Sequence, residues 1–160
     1  MKKVVFNHHT SGKIESKNAH NLINIVKSYF EKVITTFGTF DLFHIGHLNI
    51  IKYCKEKYPD HKLIVGVSSN KLNFEKKGKY PIIEETDRIE IVKNIKNVHD
   101  VFIEHSLDEK LNYCKKYNAS ILIMGDDHKG RFDFLKDNGI EVIYKPRTLN
   151  ISTTDIKNKF

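Results

Sequence analysis

The chain has 160 residues, 39% of them hydrophobic and 29% charged, which suits one globular domain with its own core and a short appendage at most. No apolar run approaches the roughly 20 residues of a membrane span. Met1–Gly12 places Asn7, His8 and His9 where a secretory leader would need an apolar block, so a cytoplasmic location is expected. The net charge of +7 is almost all scattered lysine, the pattern of a solvated face, and a nucleic-acid partner is not expected.

In chain order, Met1–Asn7 could form a short strand and Asn18–Glu31 a helix with Leu22, Ile25 and Val26 on one side. Residues 1–31 are read as an appendage to a domain spanning residues 32–160. From Lys32 onward, β-branched runs alternate with amphipathic stretches. Lys32–Phe37, Lys62–Ser68, Val98–Ile103, Ser120–Met124 and Glu141–Lys145 read as buried strands. Leu48, Ile51 and Cys54 form a helical stripe, followed by Ile89, Val92 and Ile95, then Leu111 and Cys114. Ser106 with Glu109 matches a capping box that would open the third of these helices. The alternation implies a parallel five-stranded α/β sheet, Rossmann-like, with helices on both faces. Ligands of such folds bind beyond the carboxyl ends of the strands, so the loops after Phe37, Ser68 and Met124 are the first to search. Cys54 and Cys114 have no paired spacing, which argues against a disulfide framework or a zinc site.

Chemistry concentrates at two junctions. The first is GTFDLFHIGH, Gly38 to His47, between a strand and a helix. Its glycines admit a phosphate close to the backbone, and the helix N-terminus offers unpaired N–H groups. His44 and His47, three apart, can face one spot and donate to phosphate oxygens; a zinc site from this pair lacks a third ligand of matching spacing. The second junction is PRTLNISTTDIK, Pro146 to Lys157. There Ser152, Thr153 and Thr154 are good N-cap residues for a final helix over Asp155–Phe160, with Arg147 just upstream. Two anion-binding termini in one domain suit a polyphosphate. Only three arginines occur, Arg88, Arg131 and Arg147, and so few planar forks in a lysine-rich chain point to phosphate or carboxylate contacts.

GTFDLFHIGH together with RTLNISTT resembles the signature pair of the cytidylyltransferases of the nucleotidylyltransferase superfamily. MGDDHKGRFDFLK, Met124 to Lys136, resembles the matching stretch of the glycerol-3-phosphate cytidylyltransferases. The resemblance runs from about Lys32 to the C-terminus. It implies a nucleotidyltransferase that joins CTP to a phosphorylated alcohol, foremost sn-glycerol 3-phosphate, with Mg2+ as cofactor. Phosphoethanolamine, another phospho-alcohol, or an adenylyl transfer remain alternatives. Phosphocholine fits least, because the chain has no tryptophan to build an aromatic cage.

Carried over by position, the resemblance implies catalytic roles for His44, His47, Lys76 and Arg147. Nucleotide contacts would come from Gly38, Thr39, Phe40, His44, Ile45, Gly46, His47, Lys79 (chosen over Lys77), Asp126, Arg147, Thr148, Ile151, Ser152, Thr153 and Thr154. Lys76 and Lys110 would meet the acceptor, and Asp41 would orient the loop or help bind a divalent ion. Asp127 would hold its loop and Arg131 would be structural. Arg88 would steady the lysine loop, or else form a surface ion pair with Glu84 or Glu85. Two departures stand out: Asn150 replaces a family glycine, which a left-handed backbone tolerates, and Lys96 replaces an arginine in KNIKNVHDV, a stretch that resembles a dimer-forming segment. A homodimer is expected.

Overall fold

The computed structural model describes residues 21–23, 26 and 31–159, and the chain divides into two compact units, 1–31 and 32–160. In the first unit residues 21–23 and 26 are helical and Glu31 is not; the strand expected over Met1–Asn7 and most of the helix expected over Asn18–Glu31 lie outside the described residues. The second unit carries five strands: β1 (Val33–Gly38), β2 (Lys62–Ser68), β3 (Asp100–Glu104), β4 (Ala119–Gly125) and β5 (Glu141–Lys145). They pair in parallel in the order β3-β2-β1-β4-β5. The chain winds outward from β1 in one direction and then restarts at β4 on its other side. The crevice of this fold therefore lies past the carboxyl ends of β1 and β4.

Period-two alternation decides which helix each strand residue meets. Ile34, Leu63, Val65, Val67, Ile121 and Ile123 point to one face, packed with Ile51 and Cys54 of α1 (Ile45–Lys57) and Val92 of α3 (Glu85–Lys93). Val33, Phe37, Ile64, Leu122 and Met124 point to the other, packed with Cys114 of α4 (Lys110–Lys116) and with Phe132, Leu135 and Ile140. Leu135 belongs to a 3-10 segment, Asp133–Asn138. The expected parallel sheet with covered faces is thus the observed one.

Several boundaries differ from the sequence expectations. The third strand starts at Asp100, after a turn in which the Val98 N–H donates to the Ile95 carbonyl. The capping box at Ser106 does not form. Its Oγ accepts from the Asp108 N–H two residues on, and α4 begins only at Lys110. The final helix is α5 (Thr153–Lys157), capped by Ser152, whose Oγ accepts from the Asp155 N–H at 3.1 Å. A helix that the sequence pattern did not announce, α2 (Asn70–Lys77), follows β2. Ser69 caps its start and Gly78, at φ 65°, ends it in the left-handed conformation that glycine adopts freely. Asn150 also takes a left-handed backbone, φ 60°, as expected from its side chain.

Candidate active site

A cavity of about 420 Å3 opens at the carboxyl ends of β1 and β4, within the usual size of a small-molecule site. One wall is the loop from β1 into α1. Phe40, φ 54°, buries its ring against Phe43 and His47, and a side chain at position 38 would come within 3.1 Å of that ring. Any larger residue at position 38 would press on the Phe40 ring.

His44 is the N-cap of α1. Its Nδ1 accepts the Gly46 N–H at 3.1 Å, while His47 Nδ1 accepts the His44 N–H at 3.4 Å. The two histidines together do the work of a capping box. Their rings stack with centroids 3.9 Å apart, and a Cβ on Gly46 would collide with the His44 ring at 2.8 Å. Burial lowers the pKa of His44, with Arg147 adding to it. Burial and then the His44 charge push His47 down to about 3. Both rings are neutral near pH 7, and because each Nδ1 accepts, each proton sits on Nε2. The sequence thus delivers two Nε2–H donors at a helix N-terminus.

A buried arginine fixes this wall. Arg88, 0% exposed, donates Nη1 to the carbonyls of Thr39 (2.6 Å) and Ser68 (2.8 Å), Nε to that of Ile83 (2.9 Å) and Nη2 to Asn70 Oδ1 (2.7 Å). It is neither a surface ion pair nor a partner of the lysines. Glu84 and Glu85 instead accept from the Asn70 side chain and backbone. Thr39 Oγ1 donates to Asn73 Oδ1 at 2.6 Å, and Asn73 donates to the carbonyls of Ser68 and Ser69.

Asp41 is buried outside the cavity. Its Oδ1 accepts the N–H groups of Ile82 and Ile83, both at 3.0 Å, and its Oδ2 pairs with Lys157 at 2.8 Å. Burial pushes this carboxyl up, but the bonds from Lys157, Ile83 and Ile82 outweigh it and hold it below the usual range. With its oxygens so engaged Asp41 orients the loop, and it does not line the cavity. Among the described residues no group of three His, Cys, Asp or Glu side chains is placed to hold a metal ion.

The opposite wall is the C-terminal segment. Arg147, Thr148, Ile151, Ser152, Thr153 and Thr154 all line the cavity. Asn49 of α1 donates to Thr148 Oγ1 at 3.1 Å, and Thr153 Oγ1 donates to the Asp41 carbonyl at 2.9 Å. The Arg147 side chain is 54% exposed, with Asp127 Oδ2 3.8 Å away. The two aspartates exchange their expected places. Asp126 accepts the Arg147 N–H at 3.1 Å and so holds the loop, whereas Asp127 borders the cavity.

The inner wall is cationic. Lys76 and Lys77, on the last turn of α2, line the cavity; Lys79, past the Gly78 cap, does not, nor does Ile45, which is half exposed. The lysine loop expected from sequence is therefore largely a helix end. Lys110 borders the cavity but is fully buried, ion-paired with Glu104 and seated 3.4 Å over the centroid of the Phe37 ring. Phe37, Ile50, Ser68, Glu104, Leu107 and Lys145, which no motif singled out, also line it, as do Met124, Gly125, His128 and Phe132 of the MGDDHKGRFDFLK stretch. Arg131 lies outside it, 5.9 Å from the Phe132 ring.

A family model described as cytidylyltransferase-like matches residues 35–159. Glycerol-3-phosphate cytidylyltransferase of Bacillus spizizenii is 41% identical over 126 residues, 79% of this chain and 95% of that protein. The Staphylococcus aureus protein of the same name is 36% identical over 80% of this chain and 94% of its own length. Among solved structures, a lipopolysaccharide core biosynthesis protein from Thermoplasma volcanium superposes with a TM-score of 0.63 at 21% identity, covering 73% of this chain and 98% of that one, a likeness of fold.

Proposed function

We propose, from the premise that the chain belongs to the cytidylyltransferase-like family, that it transfers a cytidylyl group from CTP to sn-glycerol 3-phosphate, giving CDP-glycerol and pyrophosphate. The observation that carries this reading is the pair of neutral, stacked histidines at the α1 N-terminus facing a cavity whose other walls hold Arg147 and two helix-end lysines. A phosphate oxygen of the acceptor attacks the α-phosphorus of CTP, forming one P–O bond while the bond to the β-phosphate oxygen breaks and its electron pair leaves with pyrophosphate. Such a transfer needs alignment and charge stabilisation, and these the lining supplies. The His44 and His47 Nε2–H groups donate to the phosphate oxygens as negative charge spreads over them. Arg147 grips the triphosphate from the opposite wall, and Lys76 and Lys77 draw the acceptor's phosphate inward.

The acceptor's alcohol is set by the inner wall. The aromatic face that a quaternary ammonium would need is taken by the Lys110 ammonium on Phe37, which favours a neutral polyol over choline. Magnesium belongs to this reading as part of the substrate, carried on the triphosphate oxygens, since the described side chains form no cluster for a resident ion. The enzyme would act in the cytoplasm, where its nucleotide substrate is available, as a homodimer through the KNIKNVHDV stretch; no helix among the described residues is long and apolar enough to cross a membrane. Pyrophosphate release, measured with glycerol 3-phosphate and each of the four nucleoside triphosphates, tests the assignment. CTP alone should support it, and equal release with ATP would move the chain to adenylyl transfer.

A further inference from the structure

The cavity's inner wall contains one buried acid that the transfer chemistry does not itself use. Glu104 ends β3 and is 1% exposed. One of its carboxylate oxygens pairs with Lys110, and the other accepts the Ser68 hydroxyl at 2.8 Å. Lys110, which starts α4, is 0% exposed and packs between the rings of Phe37 and Phe132, 3.4 and 5.1 Å from their centroids. An ammonium shut away from water in this fashion keeps its proton only if a counter-charge stays beside it. The Ser68 bond fixes the carboxylate in place to serve as that counter-charge.

We propose that Glu104 is a positioning residue for the acceptor: it holds Lys110 charged behind the cavity wall, and that charge, added to Lys76, draws the acceptor's phosphate to the inner end of the cavity. This rests on the acceptor being a phosphate monoester bound at that end, as proposed above. Glu104 touches no reacting atom in this account. It acts through Lys110, and Lys110 acts through its field at short range in a water-poor wall.

The groups around Lys110 set the direction of the pH effect. Burial lowers its pKa to about 8; Glu104 opposes that fall, Cys114 adds slightly to the opposition, and Lys76 works against it. His128, on the facing turn, is neutral near pH 7 because burial lowers it. Removing the Glu104 charge takes away the main force that keeps Lys110 protonated. Its proton would then be lost at lower pH than in the wild type.

The test is steady-state kinetics of the full chain and Glu104→Gln between pH 6 and 9, with the acceptor KM taken as a ratio of variant to wild type at each pH, which cancels the titration of glycerol 3-phosphate itself. For a fall of one unit from the Lys110 value of about 8 we expect that ratio to be about five at pH 8 and close to ten at pH 9, to fall below about two at pH 6, and the CTP KM to stay within about twofold throughout. Ser68→Ala, which frees the carboxylate without discharging it, should raise the acceptor KM in the same direction by a smaller factor, and it serves if Glu104→Gln does not fold. In a Lys110→Gln background Glu104→Gln should have no pH-dependent effect. A ratio that does not change with pH, or an equal change in the CTP KM, overturns the proposal. Wild-type turnover of phosphoethanolamine in place of glycerol 3-phosphate would overturn only the acceptor assignment, and the same ratio is then read with that phosphate. Absence of turnover with every acceptor would overturn both.

Discussion

The two walls of the cavity are built on opposite principles. The β1–α1 wall is fixed by the protein itself: Arg88 gathers three carbonyls and an amide oxygen, Asp41 gathers two N–H groups and Lys157, and the histidines cap their own helix. The C-terminal wall is held through its Thr148, Ser152 and Thr153 hydroxyls, but its guanidinium borders the cavity without a close hydrogen bond among the described residues. The Arg147 side chain is more than half exposed, its guanidinium lies 3.8 Å from Asp127 Oδ2, and Leu149 is 84% exposed. The first wall spends its hydrogen bonds on geometry and presents only the two Nε2–H donors. The second presents the Arg147 guanidinium. Damage to the first should therefore appear in folding and turnover, and damage to the second in the grip on CTP.

The largest expected effect comes from Arg88→Met. It leaves the carbonyls of Thr39 and Ile83 and the Asn70 side chain without this donor, the Ser68 carbonyl keeping its bond from Asn73, at about 1–3 kcal/mol for each buried unsatisfied group. A loss of at least about 3 kcal/mol is expected, lowering Tm in a thermal melt by about 10 °C for a chain of this size. A melt within about 2 °C of the wild type would mean that this wall does not depend on Arg88.

Next in size are His44→Ala and His47→Ala. Each should reduce kcat by roughly 10²–10³, the scale for losing one preorganised donor. His44→Ala should also cost about 1 kcal/mol through its N-cap bond. Near-normal kcat in either variant would remove that histidine from the transition state.

Arg147→Lys acts on the C-terminal wall. It keeps the charge but loses the fork, and should reduce kcat/KM for CTP by about 10–150-fold, corresponding to a hydrogen bond to a charged group worth about 1.5–3 kcal/mol, with Tm unchanged. Arg131→Lys, outside the lining, should change kcat/KM by less than about twofold. Equal losses at the two positions would put the clamp on the wrong arginine.

The smallest effect is a flat one. A histidine with its ordinary value would gain a proton near pH 6.5. His47 is held at about 3 and His44 is also lowered. Because both folded values lie below the unfolded one, the neutral donors persist as pH falls through 6.5. The kcat/KM profile should show no histidine limb between pH 6.5 and 7.5, and a tenfold fall there would contradict the neutral pair.

What the sequence disclosed follows the same division. Features written in contiguous residues were legible: the alternating strands, the GTFDLFHIGH junction and the Ser152 cap needed only local spacing, while the left-handed Asn150 was expected from the glycine that the resembled family carries there. The α2 helix was hidden because NKLNFEKK has no apolar stripe, with Leu72 its only buried hydrophobic residue, although Ser69 and Gly78 marked its two ends. Arg88 could not be placed because its partners lie up to 49 positions away. The burial of Lys110 and the roles of Asp126 and Asp127 likewise depend on loops brought together by sheet order, which local patterns do not encode. Local chemistry announced the donors, and the fold decided which charges reach the cavity.

One competition experiment decides which acceptor the cavity selects. Equal concentrations of glycerol 3-phosphate, phosphoethanolamine and phosphocholine are offered with CTP and magnesium, and the products are separated by mass. CDP-glycerol should account for nearly all the product, in a one-to-one ratio with pyrophosphate. A product dominated by CDP-ethanolamine or CDP-choline would contradict the account.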